Sequence, residues 1–136
     1  MAYFVVDCAR HPIIDIEIGG LLNEVQTKRA LGEVKELIDR GERFSVIANL
    51  AQATVPDLTV RSLFRMFVMD NQTRMNHLSV SCALIIHNKP VTMAVKAVYA
   101  ATTTFYPRRV FQVYEEGLIW TQRELKQAKV HDLQDE

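Results

Sequence analysis

The stretch Phe44-Ser45-Val46-Ile47-Ala48-Asn49-Leu50 runs into a turn, Ala51 to Asp57. Its apolar and β-branched residues read as a central strand, and the turn as a loop that opens a helix. Outward from this strand, the chain before it reads β-β-α and the chain after it α-β-α-β-α. In open α/β sheets ligands sit beyond the carboxyl ends of the strands. The candidate contacts for a partner or ligand are therefore Asn49, Thr54, Asp57 and Thr59 around this turn, with His87 after the next strand.

Upstream, Tyr3 to Ala9 predicts a first strand, and Pro12 interrupts the ladder. Ile13 to Ile18 alternates, with Ile14, Ile16 and Ile18 on one face and Asp15 and Glu17 on the other, a strand with one wet face. The short break between these strands predicts an antiparallel pair. Gly19-Gly20 ends the second. Asn23 and Gln26 have capping-box spacing, and Gly41 stands where a helix C′ glycine belongs, so a helix is predicted over Glu24 to Arg40.

Downstream, Pro56-Asp57 starts a second helix that runs to Asn76 and is apolar over most of its circumference. Such a helix needs cover on more than one side. Val80 to Ile86 is a continuous apolar run, the pattern of a strand buried on both faces. A third helix is predicted over Val91 to Thr104, a last strand over Arg109 to Val113, and a closing helix over Glu115 to Ala128. The polar tail, Lys129 to Glu136, is expected to fray. Strands alternating with helices after an opening hairpin predict an α/β fold: a mostly parallel five-stranded sheet with one antiparallel edge strand.

The 136 residues suit a single domain. Sixteen basic and sixteen acidic residues cancel, which gives no general attraction to nucleic acid and no repulsion between copies. No apolar run reaches the length of a membrane span, and the N-terminus lacks the basic start of a signal peptide. The expected location is the cytoplasm. Cys8 and Cys82 both fall in predicted strands and are expected to be free thiols.

Reactive chemistry is sparse. His11, His77, His87 and His131 have no metal-ligand spacing, and Cys82 adds none. Gly19-Gly20 lacks the rest of a phosphate loop, and no serine stands in a nucleophile elbow. Arg61 and Arg65, one helical turn apart, have the spacing of an anion clamp, but a solvated helix face explains them better. No cofactor, metal or catalytic residue is expected.

Three stretches carry a resemblance to a known family: Ile16-Glu17-Ile18-Gly19-Gly20-Leu21, Val46 to Leu50, and Arg109 to Trp120, with its Val110-Phe111 and Glu115-Glu116-Gly117-Leu118-Ile119-Trp120. They resemble the STAS-like family, the stand-alone bacterial relatives of the anti-sigma-factor antagonist domain. Gly117 replaces the family's usual Ala. In the antagonists the second helix opens Asp-Ser-x-Gly, and the serine is phosphorylated. The matching residues here are Asp57-Leu58-Thr59-Val60, with leucine where the phosphoacceptor would be.

The resemblance implies a non-catalytic signalling module that works through protein contacts, with a protein partner or a second copy of itself. The second helix is the expected homodimer contact, through Leu63, Phe64, Met66 and Phe67. The alternative is a small-molecule or lipid-binding module. Its apolar pocket would lie between the second and third helices, lined by Phe64, Phe67, Met93 and Tyr99.

Overall fold

In the computed structural model, which describes residues 1–100 and 102–134, β1 (Tyr3–Asp7) and β2 (Ile13–Gly20) pair antiparallel. β2 then pairs in parallel with β3 (Phe44–Ala53), β3 with β4 (Ser79–Ile85), and β4 with β5 (Arg108–Phe111). The strands lie in the order β1-β2-β3-β4-β5. The connecting helices are α1 (Glu24–Asp39), α2 (Leu58–Leu78), α3 (Lys89–Tyr99) and α4 (Tyr114–Gln134). This is the mostly parallel sheet with one antiparallel edge strand that the pattern predicts.

The period of two along each strand divides the core. Phe4, Ile18, Ala48, Leu50, Cys82 and Leu84 form one face, packed under residues of α1, α2 and α3. Ile13, Ile47, Ala83, Ile85 and Phe111 form the other, and α4 covers them with Trp120, Leu118 and Leu125. Three helices therefore share one face while a single helix covers the other. Gly117 faces the second layer, where a Cβ would come 2.8 Å from Ile85 Cδ1. Its lack of a side chain lets α4 approach β4 closely.

Local chemistry sets the element ends. Asn23 Oδ1 accepts the Gln26 N–H at 2.8 Å and Gln26 Oε1 accepts the Asn23 N–H at 3.1 Å, the predicted capping box. Gly41 takes φ 72° just past α1, a conformation costly for other residues. Several boundaries differ from expectation. β1 stops at Asp7, whose carboxylate accepts the Ala9 N–H, so Cys8 lies outside the strand. β2 runs on through Gly19 and Gly20, and β3 runs with it to Ala53, because Gln52 and Ala53 still pair with those glycines. The turn before α2 is thus shorter than predicted. α3 stops at Tyr99 rather than Thr104: the Thr102 N–H and hydroxyl both bond the Tyr99 carbonyl and divert the chain. β5 covers Arg108–Phe111, and α4 passes Ala128 to reach Gln134. Asp135 and Glu136 lie outside the described residues.

Candidate apolar cavity

α2 begins where β3 delivers the chain to the top of the sheet. Asp57 caps it, its Oδ1 accepting the Val60 N–H at 2.9 Å. Val60 is then carried inward and is buried, as is Val68 two turns on. Phe64 lies between them on the same side and stacks on Phe4 of β1, with centroids 5.8 Å apart. The inner side of α2 thus reaches across the sheet to the edge strand. α3 packs mainly on α2, and Val91 is its only buried residue.

Because α3 leans on α2 more than on the strands, the space beneath the helices is not filled. A cavity of about 190 Å³ remains between the sheet and the three helices. Its floor is Ile16, Ile18, Ala48, Leu50 and Leu84; α2 contributes Phe64 and Phe67, and α3 contributes Val91, Val95 and Val98. Thr54 and Pro56 of the β3–α2 turn line it too. Tyr99, Tyr106 and Cys82 also border it.

These last groups are electrically quiet. Burial pushes the Cys82 thiol up to about 12, against a smaller opposing pull from the Arg108 charge. Burial likewise lifts Tyr106 to about 12 and drives Tyr99 well above its ordinary value. All three are neutral at physiological pH, so none serves as a nucleophile or base there. The Arg108 guanidinium sits 3.8 Å over the Tyr99 ring, a cation–π contact outside the cavity wall.

Arg61 is different. Among the described residues it is the only charged one in the wall. Its Nε is closed off from solvent and, among the described residues, meets no acceptor. An unpaired buried donor costs about 1–3 kcal/mol, more when charged. Arg65, one helical turn on, is exposed and outside the wall, as a solvated helix face requires. The helical spacing placed the two on neighbouring positions, but the packing of α2 separates them.

The candidate loop residues do not converge. Asn49 Oδ1 accepts the Ala51 N–H at 3.1 Å, Asp57 serves as the cap, and a His87 ring nitrogen lies 2.6 Å from the Gln112 carbonyl oxygen. Thr59 is exposed, and Thr54 alone of the five lines the cavity. The expected α2 contact residues are divided too. Phe64 and Phe67 turn inward to the cavity, Leu63 is half-buried, and Met66 is exposed. Of the four residues expected to line an α2–α3 pocket, Phe64, Phe67 and Tyr99 do so, while Met93 points to solvent at 60% exposure. Met93 follows the apolar pattern of α3 but falls on its outer side. The floor residues are not marked as a site by the sequence, because spacing within one helix says nothing about what the sheet places opposite it.

Among the described residues no three His, Cys, Asp or Glu side chains are grouped to hold a metal ion, and no helix is long and apolar enough to cross a membrane. The side chain of His131 lies outside the described set.

No protein-family profile matches the chain, and no curated protein matches it. Solved structures do. A protein from Shewanella loihica of the DUF3478 family, described as having a SpoIIAA-like fold, superposes with TM-score 0.65 at 9% identity, over 89% of this chain and 95% of that one. An anti-sigma factor antagonist from Mycobacterium paratuberculosis superposes with TM-score 0.59 at 5% identity, over 90% and 95%. The chain has the STAS-like fold, as the resemblance implied.

Proposed function

We propose that the protein is a non-catalytic STAS-like module that binds an apolar small molecule between its sheet and helices α1 to α3. The cavity of about 190 Å³ with its almost wholly apolar wall carries this reading. Engineered apolar cavities of about 150 Å³ stay dry and take up benzene. A ligand that filled this space would bind the folded state and stabilise it. Titration with 1-octanol should raise the melting temperature of the unmutated protein. Ala94 of α3 also lines the cavity, and Ala94→Trp, which fills it, should melt higher without ligand and respond little. An equal response in both proteins would place binding elsewhere and remove this reading.

A second reading, contact with a protein partner or a second copy, draws on the outer side of α2. Leu58, Met66 and Met69 form a stripe there, each exposed by 44% or more. Apolar side chains gathered on one helix face mark contact surfaces in soluble proteins. The fold likeness to an anti-sigma factor antagonist supports a regulatory partner for such a surface. Leu58 offers no hydroxyl at the position that matches the antagonists' phosphorylated serine.

A further inference from the structure

The wall of the cavity carries one fixed positive charge and, among the described residues, no carboxylate. Arg61 follows the first three residues of α2, its backbone N–H bonded to the Asp57 carbonyl at 3.0 Å. The helix therefore holds its Cα in place. Its Nε is buried and unpartnered, while Thr54 of the β3–α2 turn, also in the wall, is exposed. The wall is thus mostly apolar, with one cationic side chain.

We propose that the ligand is an amphiphilic monocarboxylate, with a short aliphatic tail on the sheet floor and its head on Arg61. This rests on the reading of the cavity as a small-molecule site and adds the class of molecule. A planar carboxylate pairs with the donors of a guanidinium through parallel hydrogen bonds. A single cation matches a single negative charge. A doubly charged phosphate head would call for further cations, and the wall holds none. A cationic head is disfavoured outright, and a neutral head would leave the guanidinium without a counter-charge. The tail contributes through burial in proportion to its apolar area, and the volume limits it to a small ring or a short chain.

The test uses three probes of matched tail: octanoate, 1-octanol and octyltrimethylammonium, titrated at neutral pH by calorimetry. The unmutated protein should bind octanoate about tenfold or more tighter than octanol, the size expected of a charge-assisted pair, and the ammonium weakest. Arg61→Gln should abolish the preference for octanoate while keeping octanol affinity within about threefold. Arg61→Lys, which keeps the charge but not the fork, should fall between them and serves if the glutamine variant does not fold. Ala94→Trp should weaken octanoate and octanol together. If octanol binds as tightly as octanoate, or if the folded arginine variants keep the preference, the carboxylate assignment is overturned and the cavity reading stands. If no probe binds, or Ala94→Trp binds them all unchanged, both are overturned.

Discussion

Cys82 and Asp39 show how single residues depend on their surroundings. Cys82 is a free thiol on the sheet floor, buried and held protonated by that burial. Cys8, just past β1, is partly exposed. Since thiolate and access together set reactivity, a disulfide reagent should titrate one thiol per native chain, Cys8, and a second only on unfolding. Rapid labelling of Cys82 in the native protein would contradict its placement. Asp39, at the end of α1, accepts hydrogen bonds from Arg74 and Lys35, and these hold its carboxyl below the ordinary carboxylate range. A depressed carboxyl stabilises the fold above its unfolded pKa, and that contribution is lost as pH falls through its lowered folded value. Asp39→Asn should therefore melt lower than the unmutated protein at neutral pH, with the gap closing on acidification below the normal carboxylate range. Melting curves across that interval check it; a gap that widens on acidification would refute the linkage. The Asp39 contact is unreadable from spacing, because Arg74 is distant from it in sequence and meets it only where α2 crosses α1.

At the scale of elements, β3 and β4 are the test. Ile47 and Leu84 lie on adjacent central strands and both are buried, at 0% and 5% exposure. Their faces differ: Ile47 packs in the α4 layer, while Leu84 floors the cavity. Large-to-small core changes cost about 2–5 kcal/mol. Ile47→Ala removes contacts on every side and belongs near the upper end. Leu84 already lacks partner atoms on its cavity side, so it has fewer to lose, and Leu84→Ala belongs near the lower end. Denaturant titrations should show this order; a greater loss at Leu84 would mean that the cavity is filled in solution. Sequence periodicity was enough to place both strands and to mark both residues as buried. It did not reveal that one faces a tight layer and the other an open one. That depends on where α3 rests, and α3 rests on α2.

For the whole molecule, the remaining question is association. Zero net charge does not oppose it, and the stripe of Leu58, Met66 and Met69 offers a surface. If that stripe joins two copies, sedimentation at tens of micromolar should give a dimer, and Met66→Glu a folded monomer, since a charge in such a contact has no partner. Phe67→Glu should instead damage the fold, because Phe67 faces inward. A monomeric unmutated protein would remove the dimer. By itself the sequence determined the element order, the antiparallel opening and the capping box of α1. Each is set by neighbours along the chain: a period of two or 3.6, a proline, a glycine with positive φ. Only the tertiary structure decided what the helices enclose. Three helices share one face of the sheet and fail to fill it, so an apolar cavity stays open beneath them. Arg61, indistinguishable by spacing from exposed Arg65, lines that cavity, and the packing seals its Nε from solvent. Enclosure is a relation between distant segments, and hydrophobic patterning records only that a residue is buried, not how closely the space around it is filled.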